Sequence, residues 1–345
     1  MSNLNGRRGA LYGAAFGLVL AWSLSGAAWA AQPGRIFTFG DSLSDPGNHH
    51  AAYNTVSTAP HELVPSAPYA VRGGFRFSNG PTWSEQFANL SGRRNDGRPA
   101  LLKPGLFSNY AVGGARARND GASVPGHNLG SQVEQFLKDF NGKASGADLY
   151  VVWCGSNDMR DALMAASAKN TRLALTTFMP DMLETAAPLS PEAAGPTSEE
   201  IVGETVKAVA GNIQALYQAG ARRFLVPSVP NLALTPAVIM AGPAAQAGAG
   251  QLSAGYNGAL AQALRQLGAL PGIEIRTFDV NDLLNRVIAD PAAFGFAVVD
   301  KPCVTPGAAQ NEICSAPNRY LFWDGIHPTK AGHKVIARDI LKKMF

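Results

Sequence analysis

Four short apolar runs punctuate this chain, each cut off by a glycine, a proline or an asparagine, with longer segments of helical spacing between them. The runs are Arg35 to Phe39 before Gly40, Ala147 to Trp153 shortly before Gly155, Arg223 to Val226 before Pro227, and Ile273 to Val280 before Asn281. Unbroken apolar runs of this length suit strands buried on both faces. Between them, Gln132 to Phe140 places Val133, Phe136, Leu137 and Phe140 on one helical face, with Ser131 as the expected N-cap. Ile201 to Gln218 and the Ala- and Leu-rich Leu252 to Leu267 repeat the pattern. Thr329 to Leu341 closes the chain, with Thr329 as cap and Val335, Ile336 and Ile340 facing inward. Strands alternating with helices predict an α/β domain whose parallel sheet is covered on both sides. Functional groups in such sheets gather beyond the carboxyl ends of the strands. They are therefore expected just after Phe39, near Gly114, just after Trp153 and in the loop before Thr329. Asn48 to Gly80 and Pro291 to Asn318 break the rhythm and read as loops laid over that edge, and Ala241 to Gly250 reads as a loop or helix entrance.

The first thirty residues stand apart. Arg7 and Arg8 precede a mostly apolar stretch from Ala10 to about Leu24, and Ala28-Trp29-Ala30 offers small residues at a cleavage site. This is the pattern of a secretory signal peptide, an uncleaved membrane anchor being the alternative. The organisation expected is a signal peptide over 1–30 and one domain over 31–345, exported to the periplasm or the extracellular space. The signal region holds two of the 29 basic residues and none of the 25 acidic ones, so the remainder is close to neutral. That balance gives no reason to expect a nucleic-acid partner. Weak attraction to an anionic membrane surface stays open, although no clustering along the chain singles out a stretch for it. Of the three cysteines, Cys303 and Cys314 lie close together in a polar stretch with Pro and Gly nearby, and read as a loop-closing disulfide in an oxidising compartment. Cys154 follows an apolar run and reads as a buried thiol, a catalytic thiol being the sharper alternative. No histidine stands at ligand spacing from the cysteines, so no metal site is expected.

Four short motifs carry chemistry. Gly40-Asp41-Ser42-Leu43-Ser44-Asp45 follows the first run, where a serine at a strand-to-helix turn can point its hydroxyl into a cleft and its N–H toward negative charge. Gly-Asp-Ser is also an ordinary turn. Asp324-Gly325-Ile326-His327-Pro328 puts a carboxylate three residues before a histidine. On one loop the carboxylate can hold one ring nitrogen while the other accepts a proton from a hydroxyl. Asn109 to Gly114 and Gly155-Ser156-Asn157-Asp158 supply an unobstructed glycine N–H and a side-chain amide. With the Ser42 N–H these would make an oxyanion hole. No G-x-S-x-G, P-loop, G-x-G-x-x-G or H-E-x-x-H occurs.

In this order and spacing the chain resembles the SGNH, or GDSL-type, hydrolases, from Ile36 to the final helix. The resemblance implies a three-layer α/β/α, flavodoxin-like fold with a central five-stranded parallel sheet. It implies Ser42 as nucleophile, His327 as general base and Asp324 as its orienting carboxylate. It also implies an oxyanion hole of Ser42, Gly114 and Asn157, with Gly113 as the alternative glycine. The stretches Gly40 to Asn48, Phe77 to Pro81 with Trp83, and Asp290 to Phe296 are similar to a subgroup containing secreted bacterial esterases, lysophospholipases, lecithinase-like haemolysins and glycerophospholipid acyltransferases. The expected activity is hydrolysis of short-chain or lysophospholipid-like esters through an acyl-serine, without a cofactor. Acyl transfer to an alcohol, carbohydrate deacetylation and a non-catalytic lipid-binding role are the alternatives. The expected partner is a small-molecule or lipid ester, with transient membrane contact, met by a monomer.

Other residues have plainer readings. His49, His50 and His61 are expected as solvated or substrate-rim histidines, His127 and His333 as surface residues. Phe75, Phe77, Trp83 and Phe107 are expected in the core, with an acyl pocket as the alternative. Asp41 and Asp158 are expected to hold loops through side-chain to backbone hydrogen bonds. Thr171 to Glu200 matches nothing in the family pattern and reads as a variable lid or insertion.

Overall fold

The structure, a computed structural model, describes residues 33–53, 75–119, 127–167, 195–304 and 313–344. The signal region, His61 and most of the unplaced stretch after Thr171 lie outside the described residues. Each apolar run forms a strand: β1 (Ile36–Gly40), β2 (Leu149–Trp153), β3 (Arg223–Pro227) and β4 (Glu274–Phe278). All four are parallel and lie in the order β1-β2-β3-β4. On the free side of β1 the segment 108–112 takes a fifth position. There Thr38 donates its N–H to Ser108 O (3.2 Å), while Tyr110 and Val112 donate theirs to Thr38 O (2.8 Å) and Gly40 O (3.1 Å). The expected five-strand width is thus reached with an irregular edge member, which no apolar run had announced.

The described helices are α1 (Asn48–Tyr53), α2 (Trp83–Leu90), α3 (Leu129–Asp139), α4 (Ser156–Ala166), α5 (Ser198–Gln218), α6 (Pro236–Met240), α7 (Pro243–Leu267), α8 (Val280–Ala289) and α9 (Lys330–Met344). Alternation along the strands sorts them into two layers. Phe37, Phe39, Tyr150, Val152, Phe224 and Val226 pack against α3, α5 and α7. Ile36, Leu149, Val151, Trp153 and Leu225 pack against α2, α8 and α9. Each fully buried side chain of this size stabilises the fold by about 1.5–3 kcal/mol, and burial on both sides explains why β1 and β2 carry no charged alternation. β4, at the end of the sheet, is half-exposed and intersperses Glu274, Arg276 and Thr277 with Ile275 and Phe278.

Several local readings change. The N-cap of α3 is Asn128, whose side chain accepts from Ser131 N (2.9 Å). Ala241–Gly250 is mostly helix, because Pro243 occupies the first turn of α7, where its missing N–H costs nothing. Thr197 and Glu200 form a capping box at α5. Within Pro291–Asn318 there is a strand, β5 (Val298–Pro302), which pairs in parallel with β6 (Tyr320–Phe322). Cys303 and Cys314 are disulfide-bonded at the end of this ribbon, and Cys154 is a buried free thiol. None of the described helices is long and apolar enough to cross a membrane.

Candidate active site

Gly40 is the last residue of β1, and glycine is needed there because a Cβ would lie 2.2 Å from Trp153 O. Gln132 then grips this residue from α3, donating to Gly40 O and accepting from Gly40 N, both at 2.8 Å. Past it the chain turns sharply: Ser44 and Asp45 both donate their N–H to Asp41 O, and Leu43 N donates to the Asp41 carboxylate (3.1 Å). Ser42 sits on this turn and is buried. A helix start at this serine is not observed, since α1 begins only at Asn48. The Ser42 N–H meets no acceptor among the described residues.

His327 reaches this hydroxyl from the other end of the chain. Its Nε2 lies 2.8 Å from Ser42 Oγ, and its Nδ1 lies 2.7 Å from Asp324 Oδ2. The second oxygen of Asp324 accepts the backbone N–H groups of Ile326 (2.8 Å) and His327 (2.7 Å), so one carboxylate fixes both the ring and the loop bearing it. Trp323 N donates to His327 O, and Ser78 Oγ donates to Pro328 O. The Phe77 ring lies 5.4 Å from the His327 ring. A Cβ on Gly113 would come within 2.0 Å of Phe77, so this phenylalanine fills the wedge between the glycine loop and the histidine. Trp83 and Phe107 are buried as packing residues, while Phe75 stacks on His50.

Gly114 has φ of +77°, a conformation that favours glycine, and its N–H also meets no acceptor among the described residues. Gly113 N instead donates to Asp45 Oδ2 (2.8 Å) and is thereby spent within the protein. Asn157 stands in the first turn of α4 and donates one amide hydrogen to Ala115 O (2.9 Å). That bond fixes the plane of the amide and leaves its second hydrogen uncommitted.

Sequence reasoning gave Asp45 no role of its own. It is wholly buried and accepts four backbone N–H groups, from Gly47, Asn48, His49 and Gly113. Asn48 donates to Asn109 O and Ala111 O, and Asn109 donates to Ser44 O. The serine loop and the glycine loop are thereby one unit. The signal was present in the extended block Gly40 to Asn48, but nothing in it named the partners. Asp41 and Asp158 hold loops as expected, Asp158 by accepting from Ala117 N (2.8 Å). Burial pushes Asp41 up to about 7, and pushes Asp45 and Asp158 up to about 6 against their N–H donors.

The histidines divide. His49 is half-buried with Nδ1 3.0 Å from Gly113 O, and His127 is half-buried. His333 is not a surface residue: it is fully buried behind the site, both ring nitrogens lack a hydrogen-bond partner, and burial lowers its pKa to about 3. Its place one turn into α9 made it look solvated, but that turn is pressed against β6, where a Cβ on Gly332 would lie 2.9 Å from Leu321 O. Among the described residues no three His, Cys, Asp or Glu side chains come together as a metal would require.

The chain is 25% identical over 348 residues to one GDSL esterase/lipase of Arabidopsis thaliana, covering 90% of this chain and 87% of that protein. A second from the same plant is 27% identical over 344 residues, covering 89% and 86%. An extracellular lipase from Streptomyces rimosus has a similar structure at 16% identity and a TM-score of 0.41, over 90% of this chain and 99% of that one. The profile of the family described as GDSL-like Lipase/Acylhydrolase matches residues 36–340, and the chain therefore belongs to that family.

Proposed function

We propose that this carboxylic ester hydrolase acts through an acyl-serine formed on Ser42. His327, held by Asp324, removes the hydroxyl proton as Ser42 Oγ attacks the ester carbonyl. The proton then passes to the leaving alkoxide, and water attacks the acyl-serine in a second, mirror-image step. The tetrahedral oxyanion is received by the Ser42 and Gly114 N–H groups and the Asn157 amide, each such donor being worth about 3 kcal/mol to the transition state. One observation carries the reading: a chain of two short contacts, 2.8 Å from Ser42 to His327, which is buried, and 2.7 Å from His327 to the half-buried Asp324.

The finer reading is a secreted single-domain esterase of the bacterial subgroup, acting on short-chain or lysophospholipid-like acyl esters as a monomer. Export is supported by the Arg7-Arg8 and Ala28-Trp29-Ala30 pattern, and by a disulfide, which persists in oxidising compartments. A single domain is supported by the family match across 36–340. The test is Ser42→Ala, which is expected to remove p-nitrophenyl butyrate turnover by at least about ten-thousand-fold and to abolish labelling by a fluorophosphonate probe. Retained turnover in that variant overturns the proposal. Asn157→Ala is expected to lower kcat by about a hundredfold or more with KM little changed. Assays on a series from acetyl to palmitoyl esters, with a lysophospholipid included, define the substrate class.

A further inference from the structure

Among the described residues, four large hydrophobic side chains are exposed, and three of them, Leu90, Leu102 and Leu106, fall within one stretch of the chain. The same stretch carries Arg93, Arg94, Arg98 and Lys103 and a single acid, Asp96. Along the sequence that acid masks the clustering. In the fold it is turned inward, where its carboxylate accepts Ile36 N (3.0 Å) and Ser108 Oγ (2.9 Å) and lies 3.5 Å from Arg35. What remains on the outside is cationic and apolar. Arg94, Arg98 and Lys103 make no ion pair among the described residues. Arg98 and Lys103 instead lie over the Phe107 ring, at 4.9 and 5.9 Å.

These groups share one concavity. Arg94, Arg98, Leu102, Lys103 and Phe107 line a cavity of about 1010 Å³, which Pro46, Gly47 and the mutually neutralised Arg76–Glu85 pair also line. Pro46 and Gly47 lie just beyond Ser42 on the same loop, so the surface is continuous with the loop of the candidate nucleophile. Leu90 follows the lining residue Asn89 in sequence, and Leu106 lies one turn after Lys103, to whose carbonyl it donates (3.2 Å).

We propose that this face docks on an anionic phospholipid bilayer, the cations meeting lipid phosphates while Leu102 and Leu106 enter the interface. Unpaired cations alone would suit any polyanion. Exposed leucines beside them favour a lipid surface, because only there is apolar area also removed from water. Each cation near such a surface adds about a fivefold gain in partitioning. Docking here would bring the loop of Ser42 to the bilayer edge.

The test is co-sedimentation of the whole protein with vesicles of phosphatidylglycerol and, separately, of phosphatidylcholine. Expected are preference for phosphatidylglycerol and weakening as salt is raised. The triple variant Arg94→Gln/Arg98→Gln/Lys103→Gln is expected to weaken partitioning by about a hundredfold. Leu102→Asp/Leu106→Asp is expected to abolish it, and both variants are expected to keep wild-type turnover of a soluble short ester. Equal binding to the two vesicles overturns the proposal, as does undiminished binding by the triple variant. Binding to a DNA oligonucleotide with no lipid preference assigns the cations to another polyanion and also overturns it. Should a variant fold poorly, the salt dependence of the wild type decides. Vesicle binding is read without any ester cleavage, so it stands or falls apart from the role of Ser42.

Discussion

The two halves of the candidate active site are anchored by different means. Ser42, Gly114 and Asn157 hang from the carboxyl edge of the central sheet, and buried side chains lock them from beneath: Gln132 on Gly40, Asp45 on Gly113, Asp158 on Ala117. Asp324 and His327 lie on a loop outside that sheet. They follow the short β5–β6 ribbon, which the Cys303–Cys314 bond closes, and their loop is braced chiefly by its own carboxylate. The half that receives developing charge is thus fixed by long-range polar contacts, each able to orphan a buried N–H if lost. The half that moves the proton is fixed first by its own carboxylate, with Ser78 Oγ on Pro328 O and Ala237 N on Gly325 O adding a few long-range ties. Precision in the first depends on buried polar side chains from across the fold, and in the second more on one local carboxylate.

Asp324→Asn tests the local half most severely. It keeps the shape of the loop but favours the wrong tautomer of His327, and kcat is expected to fall by about ten-thousand-fold with the melting temperature little changed. Asp45→Ala attacks the other half. It leaves four buried N–H groups without their acceptor, and a stability loss of about 4 kcal/mol is expected in urea denaturation, with kcat lowered as Gly114 drifts. A stable, fully active Asp45→Ala variant would show that the two loops do not need this carboxylate. Cys303→Ser/Cys314→Ser opens a loop with a sequence separation of 11, and a smaller loss of about 3 kcal/mol is expected, with kcat within a few fold of wild type. A collapse of kcat there would make the ribbon, rather than Asp324, the element that aims His327.

The smallest effect concerns His333. Its folded pKa lies near 3, below the 6.5 of an unfolded histidine, so the proton is taken up mainly by the unfolded chain. Its contribution to stability is complete above pH 6.5 and is lost as pH falls below that value. Asp41, Asp45 and Asp158, whose pKa values are raised, act in the opposite sense and lose stability as pH rises from about 4 to about 7. Comparing His333→Leu with the wild type isolates the histidine. Below pH 6.5 the wild type is expected to lose about 1.4 kcal/mol per pH unit more than the variant, read by chemical denaturation across pH.

The same division governs what could be read from the chain alone. β1, β2 and β3 were legible because each is a short, largely apolar run, β4 because Ile273, Ile275, Phe278 and Val280 recur between polar residues, and the Asp324–His327 pair because its members lie three positions apart. Asp45 and Gly113 stand 68 positions apart, and their hydrogen bond leaves no periodic trace. The segment 108–112 carries no strand signal because it opens on Ser108 and Asn109 and pairs only through isolated bridges of Asn109 to Thr38 and to Pro99. At the start of α7 the sequence left a loop or a helix entrance open, because Ala and Gly look loop-like until their helix is seen packing closely, with Gly248 against Leu163. His333 was misplaced because a lone polar residue in an amphipathic pattern carries no mark of the side it faces.

The 285 positions between Ser42 and His327 also order events in time. A chain still emerging from the ribosome would already possess its alcohol, both glycine turns and the asparagine amide, and would cleave nothing. The imidazole follows the alcohol by 285 positions, so reactivity switches on only once His327 has been made and folded against Ser42. A chain cut just ahead of His327 would accordingly keep all four strands of the central sheet and still be silent.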